Sequence, residues 1–146
     1  MEWIIKTYKE LTINELYQLL KLRQEVFVVE QNCAYLDADN KDIDAIHLLG
    51  FDNEVLIAYA RIVLPGIKYV EPSIGRVLVS AEARKYGIGS ELMNRAIMVS
   101  KKLFPSFKNR ISAQAHLQKF YENVGFTKVS DVYDEDGIPH IEMLLN

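Results

Sequence analysis

Residues 73–104 constrain this chain more than any other stretch, because they read as a strand, a glycine turn and a helix in immediate succession. Ile74, Val77, Leu78 and Val79, β-branched or aliphatic and lying between Pro72 and Ser80, predict the strand. Leu92, Ala96, Val99 and Leu103 recur at steps of four and three, with Met93, Ile97 and Phe104 widening the stripe, and predict a helix that Pro105 stops. Between them stands Arg84-Lys85-Tyr86-Gly87-Ile88-Gly89. Glycines one residue apart let the backbone turn tightly and leave it open to a ligand. The first amides of the following helix have no internal partner and share the positive end of its dipole. With Arg84 and Lys85 beside it, the corner is an anion site suited to a phosphate or pyrophosphate.

Two familiar phosphate loops fit poorly. No glycine is followed by Lys-Ser or Lys-Thr, as a Walker A loop requires. A dinucleotide fingerprint needs a third glycine where Leu92 stands.

Along the chain, Trp3-Ile-Ile-Lys-Thr-Tyr8 predicts a first strand, and Thr12 with Glu15 forms a capping box that opens a helix. Ile13, Leu16, Tyr17, Leu20 and Phe27 form its expected apolar stripe, reaching about Val28 or Glu30. The stretch Leu36-Asp-Ala-Asp-Asn-Lys-Asp-Ile-Asp44 reads as a surface loop, either a solvated linker or a flap over a site. Residues 46–51 and 55–64 predict a hairpin, whose second strand Arg61 interrupts, either snorkelling off the sheet or facing a cleft. Residues 110–115 predict a short strand, residues 116–123 a short helix capped by Gly125, and residues 127–133 and 140–145 two strands around an Asp136-Gly137 turn. The last strand is expected at an edge, where it offers a surface for a homodimer.

The length suits one domain, residues 1–146, and the net charge of -3 supplies neither a basic surface for nucleic acid nor a membrane anchor. No run is long and apolar enough for a membrane span, and the N-terminus lacks a signal peptide, which predicts a cytoplasmic protein. Cys33 is the only cysteine, and the three histidines have no metal-binding spacing, so no metal is expected.

Three separated segments carry a resemblance: L-R-Q-E-V-F-V-V-E-Q-N-C-A-Y, A-Q-A-H-L-Q-K-F-Y-E-N-V-G-F and E-D-G-I-P-H-I-E-M. With Arg84, Gly87 and Gly89 at the fixed positions of Q/R-x-x-G-x-G/A, the chain resembles the GNAT N-acetyltransferases over nearly its whole length, and among them the ElaA-type proteins. The resemblance implies an α/β (α+β mixed) fold: a twisted, mostly antiparallel sheet of about seven strands, helices on both faces, and a splay between strands 73–79 and 110–115. It implies an acetyl-CoA-dependent N-acetyltransferase acting on a primary amine of a small molecule or peptide. The coenzyme would be held by Val77, Leu78, Val79, Arg84, Lys85, Tyr86, Gly87, Ile88, Gly89, Ser90, Gln114, Phe120 and Tyr121. Tyr121, in F-Y-x-x-x-G-F, would act as general acid towards the departing thiolate.

A base must also accept a proton from the acceptor's ammonium. Relatives often carry a glutamate where this chain has Arg76, so Glu30, His116 and His140 remain as candidates. Glu30, Gln31, Arg61, Arg76 and His140 are the expected substrate contacts, Arg76 serving either an acidic substrate group or an internal ion pair. Cys33 has no assigned base to make it a nucleophile. The alternatives are a non-catalytic acyl-CoA sensor and a transferase using another acyl-CoA.

Overall fold

The computed structural model describes all of residues 1–146. In chain order the elements are β1 (Glu2–Thr7), α1 (Ile13–Arg23), β2 (Ala45–Asp52), β3 (Val55–Val63), β4 (Ser73–Val79), α2 (Ile88–Leu103), β5 (Asn109–Gln114), α3 (Gln118–Asn123), β6 (Thr127–Lys128), β7 (Tyr133–Glu135) and β8 (Ile138–Leu145). The strands form two four-stranded antiparallel sheets, one in the order β1-β2-β3-β4, the other with β5, β6 and β7 all pairing β8. The expected sheet of about seven strands, splayed between residues 73–79 and 110–115, is eight strands parted there into two sheets, with β8 inside the second and not at an edge. An unpaired C-terminal edge is therefore not available for a homodimer.

Strands β2, β3 and β4 are nearly continuous apolar runs because both faces of their sheet are covered. On one face Leu48, Ala58, Ala60, Ile62 and Ile74 pack with Leu92, Met93 and Ala96 of α2 and with Ile111, Ile141 and Met143 of the second sheet. On the other face Leu49, Phe51, Leu56, Tyr59 and Leu78 meet Leu19, Leu22 and Val26. The capping box forms as read, with Glu15 N–H donating to Thr12 Oγ1 at 3.1 Å and Thr12 N–H to Glu15 Oε1 at 2.9 Å. The stripe forms in part: Leu16, Leu20 and Phe27 are half-buried against the core, but Ile13 and Tyr17 are exposed, and Leu19, Leu22 and Arg23 are the buried residues. After Arg23 the helix widens into π-type turns over Gln24–Glu30. In α2, Ser100 replaces the exposed Leu103 on the buried face and accepts a hydrogen bond from Asn109 at 3.0 Å.

β4 and β5 belong to different sheets and touch at one end. Ile74 N–H donates to Asn109 Oδ1 at 3.2 Å, and Arg110 N–H to the Pro72 carbonyl at 3.2 Å. Beyond that point no ladder joins them. A bulge in β4 accompanies the parting: Gly75 pairs Arg61 and Leu78 pairs Tyr59, so Arg76 and Val77 together face Ala60, with Arg76 at φ 49°. No helix is long and apolar enough to cross a membrane.

Candidate active site

The gap between β4 and β5 opens into a cavity of about 390 Å³. Gly75 to Val79 form one wall, Ile111, Ser112 and Gln114 the other. At one end is the α2 corner. Gly87 sits at φ 70°, a left-handed conformation that a Cβ would strain, and leads straight into α2. The Glu91 N–H to Gly87 carbonyl bond of 3.3 Å lies at the start of the helix, so the amides of Ile88, Gly89 and Ser90 have no acceptor inside α2. Lys85, Tyr86 and Ser90 are exposed around this corner, outside the cavity lining.

Tyr121 is buried against Phe120 and Phe126 in edge-to-face contacts, with ring centroids 5.1 and 5.9 Å apart. It lines the cavity, whereas Phe120 packs behind it. Burial pushes its phenol up to about 12, so the hydroxyl keeps its proton at neutral pH. The other three catalytic candidates, Glu30, His116 and His140, line the same cavity.

Several sequence expectations change here. Arg84 is engaged by protein: its Nε donates to the Val79 carbonyl at 3.0 Å, and its two terminal nitrogens grip Glu30 at 2.5 and 2.8 Å. That pairing holds the Glu30 carboxyl below its ordinary range, which disfavours it as a base. Gln31 and Gln114 face each other across the cavity mouth, with amide contacts of 3.3 and 3.5 Å. Cys33 donates to the Asp136 carbonyl at 3.1 Å, tying the segment after α1 to the β7–β8 hairpin.

The aspartate loop is neither a solvated linker nor a free flap. Arg23 donates to Asp37 at 2.8 Å and to Asp42 at 2.6 Å, and Arg61 to Asp39 at 2.5 Å and Asp42 at 2.9 Å. Arg76 lies 2.8 Å from Asp37 and donates to its carbonyl at 3.0 Å. Arg61 and Arg76 thus spend their charge internally, which leaves them as walls of the cavity and not as free receptors for an acidic substrate. His47 completes the network between the Tyr59 hydroxyl, at 2.7 Å, and the Asp42 carbonyl, at 2.9 Å.

On the wall that holds His140, the sequence reading missed the residues that partner it. Ser112, Tyr133, Glu135 and His140 form a connected group: Ser112 Oγ donates to Glu135 at 3.1 Å, Tyr133 hydrogen-bonds Ser112, and His140 Nε2 lies 3.3 Å from Glu135. They stand on the polar face of strands whose other face, Ile111, Ala113, Ile141 and Met143, is core. That alternation was visible in the sequence, but a polar strand face usually meets solvent. Lys68 is the cavity cation without a carboxylate within salt-bridge reach.

Comparison with known proteins agrees with this arrangement. The Acetyltransferase (GNAT) domain family matches residues 9–146. A crystal structure of an acyl-CoA N-acyltransferase from Pseudomonas aeruginosa superposes with a TM-score of 0.94 at 43% identity, covering all of both chains. An aminoglycoside 6'-N-acetyltransferase complexed with coenzyme A shares the fold, with a TM-score of 0.72 at 16% identity over 97% of this chain and 95% of that one. The chain belongs to the GNAT acetyltransferase family and is an acyltransferase. Within the family it is similar to protein ElaA of Escherichia coli, 45% identical over 98% of this chain and 95% of that protein, whose crystal structure matches with a TM-score of 0.92 at 44% identity over all of both chains.

Proposed function

We propose that residues 1–146 act as one unit, an acetyl-CoA-dependent N-acetyltransferase that transfers directly to the primary amine of a small molecule or peptide. The observation that carries the reading is the unladdered gap between β4 and β5, with a proton-bearing Tyr121 in its wall and the bare start of α2 beside it. The residues present fit coenzyme A. The amides of Ile88, Gly89 and Ser90, turned outward by Gly87, suit the diphosphate, and Lys85 adds a cation. Arg84 braces that loop through Glu30 and Val79. The facing edges of Val77, Leu78 and Val79 and of Gln114 suit an amide-bearing arm lying between them. Acetyl-CoA supplies an acyl group on a thioester, whose departing sulfur is a good leaving group. Tyr121 holds a proton at its hydroxyl oxygen where that sulfur would develop charge.

The test is calorimetry with acetyl-CoA followed by thiol release on a panel of primary amines. Saturable binding with amine-dependent release supports the reading. Saturable binding without release from any amine would favour the sensor alternative, and a longer acyl-CoA outcompeting acetyl-CoA would reassign the donor.

A further inference from the structure

A transferase of this kind must take a proton from the acceptor's ammonium before attack, and Glu30 is held by Arg84. The opposite wall offers a better receiver. Strands β7 and β8 bring Glu135 Oε2 to 3.3 Å from His140 Nε2. His140 Nδ1 lies 2.7 Å from the Ile138 carbonyl, which only accepts, so Nδ1 carries a proton. Nε2 then faces a carboxylate oxygen, and two lone pairs at that distance repel unless one proton lies between them. The pair therefore has two states, with that proton and a net charge of zero, or without it and a net charge of minus one.

The surroundings keep the pair in place. Ser112 donates to the other carboxylate oxygen at 3.1 Å and is itself hydrogen-bonded by Tyr133, whose ring stacks on His140 with centroids 6.2 Å apart. Gln114 lies opposite His140 in register. From the segment before β4, Lys68 and Tyr69 approach the pair: desolvation lowers the Lys68 ammonium, with the Glu135 charge opposing it, and desolvation raises the Tyr69 phenol, with Tyr133, Glu142 and Glu135 adding to it. Glu135 still has 39% of its side chain exposed while lining the cavity, and His140 lines it too. A contact that served only to hold the hairpin would not need an open carboxylate.

Resting on the acetyltransferase reading above, we propose that Glu135 and His140 together accept the proton of the acceptor amine. In that step an ammonium N–H bond breaks and its electron pair stays on nitrogen as the nucleophilic lone pair. The proton comes to lie between Nε2 and Oε2, taking the pair from minus one to zero.

The experiment uses the full chain, acetyl-CoA and two probe amines: n-butylamine, an ammonium at neutral pH, and aniline, already neutral there. Glu135→Gln is expected to lower the n-butylamine rate about 100-fold while the aniline rate and acetyl-CoA affinity stay near those of the unmutated protein. Glu135→Asp should restore part of the loss. Nitrogen-15 spectra of the His140 ring, which need no turnover, should show a proton on Nδ1 and a bare Nε2 at the assay pH in both proteins, and an Nε2 already protonated at rest in the unmutated protein would overturn the proposal. Should Glu135→Gln fail to fold, Ser112→Ala, which frees the carboxylate to drift, should still slow n-butylamine more than aniline. Equal slowing of both amines, no slowing of either, or an unprotonated Nδ1 would overturn the pair and leave the transferase reading standing. Acetyl-CoA binding with no acceleration of either amine by the unmutated protein would overturn both.

Discussion

Tyr121 occupies the cavity wall with its ring packed among aromatics and its hydroxyl free of any protein hydrogen bond, so its removal tests chemistry more than architecture. Tyr121→Phe keeps the edge-to-face contacts and the buried volume. We expect acetyl-CoA affinity to stay within about twofold and kcat to fall about 100-fold, read by calorimetry and thiol release on the same preparation. A fall in affinity of the same size as the fall in rate would instead make the ring part of the binding surface. Arg84 carries the opposite lesson. At the first fixed position of the glycine motif it is expected beside the phosphate, yet three of its five N–H groups go to Glu30 and Val79. The motif marks where the residue stands and not that Glu30 reaches it, because a sequence pattern records position and not every nearby anion within reach.

At the scale of the element, α1 is where sequence reasoning and structure part furthest. Its start was legible, since Thr12 and Glu15 satisfy each other's amides within one turn. Its buried face was not, because that face includes Arg23, fully buried between Asp37 and Asp42 and resting over the Tyr59 ring at 5.8 Å. Counting apolar spacing puts a guanidinium outside by default; only partners 14 and 19 residues away bring it in. The β7–β8 hairpin shows the reverse: Asp136 at φ 53° and Gly137 at φ 80° make the tight turn that the dipeptide predicts. What stayed hidden was that the hairpin turns Glu135 and His140 towards a cavity, a fact set by the distant strand β5. Arg23→Gln leaves the aspartates buried with less positive charge, and should destabilise the protein by about 3–5 kcal/mol in urea unfolding. Lys6→Gln, removing a partly exposed pair with Glu15, should change it by no more than about 1 kcal/mol.

For the whole molecule, the same network sets how stability responds to acid. Burial raises the Asp39 and Asp42 carboxyls, but the hydrogen bonds and charges of Arg61 and Arg23 outweigh it and hold both below the ordinary value of 3.8. Burial likewise lowers His47 from 6.5, so the folded protein keeps that ring neutral. In each case the unfolded chain binds protons that the folded one refuses, and stability falls as pH falls. The urea midpoint should be flat between about pH 7 and 9, begin to decline below about 6.5 as unfolded His47 charges, and steepen below about 4. His47→Gln should remove the first decline and spare the second; one unbroken slope in both proteins would contradict this division.

The two sheets are fastened at the Pro72–Ile74 and Asn109–Arg110 corner and nowhere further along β4 and β5. They are like two pages bound at a short spine. The rungs missing between them leave edges without a strand partner, and on the proposed function the coenzyme's arm would stand in for that strand. Filling the space would then be a late stage of folding as much as an act of recognition.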